Sequence, residues 1–142
     1  MITEDYCSYE VSKLLKEKGF PFCAVIGSAW VKEDNKITMH SEQVPITWCD
    51  ENQVLATTQA LAMKWLREKK DLLIDISFVR YMDEPRVLWS FAIFTIYDYS
   101  ELKTDDKEYP TYEEAVEAAL KYSLENLIHD EEENQTSKDD QC

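Results

Sequence analysis

A chain of 142 residues suffices for one domain, and its 44% hydrophobic and 12% aromatic side chains can fill a core without disulfides or a structural metal. Its 29 acids against 15 bases give a formal charge of −14, a field that repels phosphates, so direct DNA, RNA or membrane binding is not expected. Two glycines and four prolines exclude glycine-rich phosphate loops and a dense array of tight turns, leaving a few long elements joined by polar connections.

The chain opens without a basic segment leading into an apolar one, and no apolar run approaches the ~20 residues of a membrane span. Cys7, Cys23, Cys49 and Cys142 are scattered without paired spacing. Free thiols and a cytoplasmic location are therefore the expectation.

Ser8 is placed to cap a first helix, with Glu10 facing its positive end. Cys7, Val11, Leu14, Leu15 and the Lys18 stem share one stripe. Gly19 supplies a left-handed stop, Phe20 folds back on the last turn, and Pro21 prevents continuation. The apolar run Phe22 to Val31 predicts a strand buried on both faces, and Lys36 to His40 returns as its hairpin partner. Residues 41–56 read as loop or, over Val44 to Trp48, as a proline-tolerant edge strand.

Thr57 or Thr58 caps a second helix running to about Lys70, with Leu55, Thr58, Leu61, Ala62, Trp65 and Leu66 on its inner side. Leu72, Ile74, Ile76 and Phe78 alternate with polar residues, the period of a strand with one wet face. Val87 to Tyr99 predicts the longest apolar strand. Thr111-Tyr112-Glu113-Glu114 is a capping box that starts a third helix, with Val116, Ala119, Leu120, Ser123 and Leu127 inward. After Asp130 a run without apolar residues has nothing with which to offset ordering entropy.

The order α-β-β-(β)-α-β-β-α predicts an α+β domain over residues 1–129: one antiparallel sheet of four to five strands with three helices mainly on one face, and an acidic disordered tail at 130–142. Helix followed by hairpin occurs at both 8–39 and 57–99, which raises an internal duplication, although the two stretches share little residue identity.

Chemistry-bearing constellations are weak. His40, Glu42, Cys49 and Asp50 lie close in sequence, but their spacing matches no zinc pattern. His129 suits the negative end of the third helix. Cys23 reads as packing; Cys49 is the better-exposed thiol, and Asp50 beside it would raise its pKa. Glu113, Glu114 and Glu117 fit a capping box and a solvated helix face better than a catalytic carboxylate pair. No catalytic, cofactor-binding or metal-binding residue is assigned. Trp65 and Trp89 fall on core positions. Trp30, at a strand end, and Trp48, beside Pro45 in irregular chain, are the candidate partner-binding residues, with packing onto the sheet as the competing role.

Three stretches carry a resemblance: Ser8-Tyr9-Glu10-Val11 with Leu14 to Phe20, Thr58 to Ala62 with Lys64 to Glu68, and Thr111 to Ala115 with Ala118 to Lys121. They resemble small uncharacterised proteins encoded by gut Bacteroidales, their phages and integrated elements. In those proteins a proline often precedes the Thr-Gln pair, where this chain has Thr57. The shared motifs are caps and packing stripes, which specify a fold and no activity. The resemblance implies an accessory protein of a phage or mobile element that acts by binding.

Three functions compete on this reading. The first is a non-enzymatic protein-binding module. The second is an acidic mimic of nucleic acid that occupies a host enzyme's DNA-binding face; without residues 130–142 the chain still holds 23 acids against 14 bases, a charge of −9. The third is a small enzyme with an unrecognised site, and it has the least behind it. The bases at Lys13, Lys16, Lys18, Lys64, Arg67, Lys69 and Lys70 are split between two helices and mixed with Glu17 and Glu68. Repulsion should therefore prevail under physiological screening over ~8 Å. Micromolar protein should not shift single- or double-stranded DNA in a gel; salt-sensitive binding would restore nucleic acid as a partner and remove the mimic.

Overall fold

In the computed structural model, which describes residues 5–22, 28–40 and 53–128, each α-helix begins at a side-chain cap. Helix α1 spans Tyr9–Glu17, and the Ser8 hydroxyl accepts from the Val11 amide at 3.2 Å. Two more donors at this end are met from distant chain. The Ser8 amide donates to the Glu117 carboxylate at 3.1 Å, and the Tyr9 amide donates to Asn35 Oδ1 at 2.9 Å. At the other end Gly19 takes φ +95°, where a side chain would be strained. The Phe20 amide then donates to the Leu15 carbonyl (2.9 Å) and the Gly19 amide to that of Lys16 (3.3 Å), a Schellman ending with Phe20 and Leu15 both buried.

Helix α2 spans Gln59–Lys69, and Thr58 rather than Thr57 is its cap, accepting from the Leu61 amide at 3.2 Å. Ala62 and Leu66 are fully buried, while Leu61, expected on the inner stripe, is exposed. Gln59 takes the inner place at the first turn because its amide side chain finds acceptors on the third helix. Trp65 is half-buried, edge-on to Phe20 at 5.5 Å between ring centres, with the Lys70 ammonium 5.3 Å from its own ring centre.

Helix α3 spans Tyr112–Tyr122. The Thr111 hydroxyl accepts from the Glu114 amide at 3.1 Å, and the Glu114 carboxylate lies 3.3 Å from that same hydroxyl rather than on the Thr111 backbone amide. A π-helical turn, Ser123–Leu127, follows. Leu124, one α-helical turn after Leu120, and Ile128, in extended backbone just past the turn, enter the core, while Leu127, expected inward, is half-buried.

Among the described residues the strands form two antiparallel sheets of three, not the single sheet of four to five that the sequence suggested. In the first, β1 (Ser28–Lys32) is central between β2 (Ile37–His40) and β3 (Gln53–Leu55). In the second, β5 (Val87–Thr95) is central between β4 (Leu72–Arg80) and β6 (Glu101–Thr104). Among the described residues the element order α-β-β-β-α-β-β-β-α adds β6 and sets a strand at Gln53–Leu55, in chain read as loop, and β5 ends four residues before Tyr99. Each half is a helix followed by three strands, but the central strand comes first in one half and second in the other. The halves therefore do not repeat one topology. The expected strand over Val44 to Trp48 and the tail at 130–142 lie outside the described residues, as do residues 23–27 of the first expected strand.

Central β1 is buried on both faces as expected: Trp30 enters the main core, and Ala29 and Val31 pack with Ala56. Helix α1 lies against β1, β3 and α3, while α2 and α3 cover β4 and β5, so the helices join the two sheets. The main core gathers Leu15, Leu66, Ile93, Leu120 and Leu124, all fully buried, each stabilising by roughly 1.5–3 kcal/mol. On β4 the inward alternation holds for Leu72, Ile74 and Ile76 and ends there: Phe78 is 65% exposed.

Removing the α1 end's long-range acceptor should be costlier than removing a local cap. Glu117→Ala should destabilise by about 1.5–3 kcal/mol, the range for a charged hydrogen bond whose donors are left unmet. Thr111→Ala should cost about 0.5–2 kcal/mol. Urea unfolding midpoints of both variants against wild type check the ordering.

Candidate functional site

The three α-helices begin close together, and an open cleft of about 620 Å³ lies at their junction. It is lined by Asp5, Tyr6, Cys7, Ser8, Asn35, Ile37, Gln59, Tyr109, Glu113, Glu114 and Glu117. Extended residues 5–7 run antiparallel to Thr57–Gln59, with Cys7 N–H on the Thr57 carbonyl (2.9 Å) and Gln59 N–H on that of Asp5 (2.9 Å). Gln59 Nε2 reaches the Glu113 carbonyl and a Glu117 carboxylate oxygen, both at 3.1 Å. Glu117 is therefore half-buried and occupied, not part of the solvated face expected of it. Its donors are backbone and amide groups at the starts of α1 and α2, which also carry the positive ends of those helix dipoles.

Nothing in the cleft is poised as a nucleophile. Cys7 is buried, and its thiol is pushed well above its ordinary range, first by burial and then by the nearby Glu117 carboxylate. A thiol so protected behaves as packing. Among the described residues no group of three His, Cys, Asp or Glu side chains is arranged to hold a metal. Of the His40, Glu42, Cys49 and Asp50 constellation only the His40 backbone falls within them; Cys23, His129 and Cys142 lie outside.

The two tryptophans chosen as partner-binding candidates fare differently. Trp30 is only 7% exposed and packs in the main core, which assigns its indole to folding. Trp48 lies outside the described residues.

Among the described residues most of the exposed large apolar side chains sit instead at the two ends of the second sheet, Ile37 and Leu61 apart. At the β4–β5 turn Met82 is fully exposed, Phe78 largely so and Tyr81 less than half. Here the rings contact one another, Phe78 edge-on to Trp89 at 6.2 Å and Trp89 to Tyr112 at 5.4 Å. The carboxylates are engaged as well: Glu84 pairs with Arg86 at 2.9 Å, and Glu108 accepts from the Tyr81 hydroxyl. At the opposite end the β5–β6 loop exposes Tyr97 (85%) and Tyr99 (84%), with Ile96 and Leu102 beside them. Tyr99 holds φ +62°, a left-handed conformation that costs a bulky residue roughly 1–3 kcal/mol.

Comparison with known proteins brings nothing to set beside this geometry: no family model, no curated protein and no solved structure matches the chain. No helix among the described residues is long and apolar enough to cross a membrane.

Sequence reasoning missed Tyr97 and Tyr99 because their run continued the apolar strand. Turn chemistry was the available signal: Thr95, Asp98 and Ser100 are spaced for side-chain-to-backbone hydrogen bonds that end a strand. Asn35, at φ +67° in the β1–β2 turn, gave a turn signal but no hint that its amide oxygen serves α1.

Tyr109 marks where the cleft meets the second sheet. Its amide and carbonyl exchange hydrogen bonds with Trp89, its ring stacks on Phe91, and its hydroxyl donates to Asp105 at 2.7 Å. Burial and then the Asp105 bond push its pKa from 10.0 up to about 12. The folded protein thus holds the phenol proton more tightly than the unfolded chain. The associated stability is complete below about pH 10 and is lost as pH rises through about 12. Tyr109→Phe should flatten that alkaline decline, read as thermal midpoints between pH 9 and 12.

Proposed function

We propose that this chain is a small non-enzymatic protein-binding accessory protein of phage or mobile-element origin, acting in the cytoplasm. The observation that carries this reading is the exposure of Phe78, Met82, Tyr97 and Tyr99 at the two ends of one sheet, on turns anchored by a rigid strand pair. Large rings and methionine standing in water at strand turns are the side chains that dominate protein interfaces, and their burial against a partner returns the cost of exposing them. The unreactive thiol and the structurally occupied carboxylate of the cleft are consistent with binding rather than chemistry. The phage or mobile-element origin rests on the sequence resemblance alone.

The test is affinity capture from a Bacteroidales lysate with mass spectrometry, using wild type, a Phe78→Ser/Met82→Ser variant and a Tyr97→Ala/Tyr99→Ala variant. A saturable protein partner lost in at least one variant is the expected result. Equal capture by all three would remove these surfaces from the function. A nuclease or polymerase captured equally by all three, and released by neutralising surface acids, would establish nucleic-acid mimicry in its place.

A further inference from the structure

The two exposed ends differ in what their charges are doing. At the β4–β5 turn Glu84 is paired with the Arg86 cation, while Glu108 accepts from the neutral Tyr81 hydroxyl. At the β5–β6 loop Asp71, Asp98 and Glu101 bond only to neutral amides and hydroxyls, Glu101 accepting from Thr104, and among the described residues no Lys, Arg or His nitrogen lies within 4 Å of their oxygens. Two tyrosine rings stand among these acids, open to water over most of their surface.

The loop is held in shape before any partner arrives. Asp71, itself at φ +60°, accepts from the Ile96 amide through its carbonyl (3.2 Å) and from the Tyr97 amide through its carboxylate (3.0 Å). Asp98 accepts from the Thr95 hydroxyl and from the Ser100 amide (3.2 Å), and the Thr95 amide closes the loop on the Ser100 carbonyl at 2.8 Å. These bonds to Thr95 and Ser100 keep the Asp98 carboxyl below its ordinary range, so it stays charged well into acid. A preformed loop loses little conformational entropy on binding.

Resting on the protein-binding reading above, we propose that the β5–β6 loop is the contact element and that it receives an arginine-bearing basic segment of another protein, guanidinium groups stacking on Tyr97 and Tyr99 and pairing with the neighbouring carboxylates. Arginine fits better than lysine because its planar, weakly hydrated cation stacks on an aromatic face while donating to a carboxylate. A second copy of this chain would bring the same acids against themselves, and a phosphate-bearing surface would be repelled.

A fluorescein-labelled (Arg-Gly-Ser)4 peptide and its lysine counterpart, titrated into the full chain by anisotropy at two salt concentrations and mapped by amide NMR, provide the test. The arginine peptide should bind at least threefold tighter than the lysine one, with shifts concentrated at residues 95–102 and at Asp71. Tyr97→Ala/Tyr99→Ala should weaken binding at least fivefold; Tyr97→Phe/Tyr99→Phe, which keeps the rings, should restore it. Glu33→Gln/Glu68→Gln, removing two exposed acids elsewhere, should change it less than twofold. Absent binding, shifts spread over the whole acidic surface, or equal losses in the tyrosine and distant-acid variants would overturn the proposal. If lysate capture survives in Tyr97→Ala/Tyr99→Ala but is lost in Phe78→Ser/Met82→Ser, the protein-binding reading stands and this inference alone fails.

Discussion

The start of helix α1 is the constraint on which the rest of the architecture turns. A helix leaves its first four amides without partners inside itself, and a buried end must find them elsewhere. Here three are met by three parts of the chain: the Ser8 hydroxyl, Asn35 from the β1–β2 turn and Glu117 from α3. Because Glu117 also receives Gln59, the same carboxylate fixes α1 and α2 relative to α3. The first sheet is attached to α1 and the second to α2 and α3, so this small polar junction sets the relation between two sheets that share no strand.

That arrangement also explains why the acid and the thiol of the helix-start cleft serve the fold. A carboxylate at a helix junction resembles a catalytic acid in sequence and in position alike. The difference is what its oxygens already hold. Glu117 is committed to amide donors, and Cys7 beside it is buried and kept protonated. Exposed rings and methionine lie instead at the ends of the second sheet, where Met82, Tyr97 and Tyr99 stand almost wholly in water.

Local signals were legible in the sequence, and long-range ones were not. Ser8, Gly19 and Thr111 announced helix ends because a cap depends on residues within one turn of it. The alternation of Leu72, Ile74 and Ile76 announced a strand and its inner face. What could not be read was which strands share a sheet, since β1 pairs with β3 across more than twenty residues and no local pattern encodes that choice. Trp30 illustrates the same limit: an indole at a strand end is equally compatible with core and surface until a helix is laid across it. Phe78 erred in the opposite direction, its alternation continuing correctly past the point where the helices stop covering the sheet.

Ser8 and Glu117 are 109 positions apart, and that separation orders events in time. As the chain leaves the ribosome, α1 can acquire its own serine cap at once and Asn35 soon after. Its third acceptor does not exist until α3 has been made. Contacts of such long sequence separation slow folding, because loop-closure entropy must be met before they form. The amino-terminal half therefore waits, with α1 incompletely capped and the apolar faces of β1 lacking their full cover, until α3 emerges. The full capping of α1 and the docking of α3 are therefore one step, since each completes the other's hydrogen bonds.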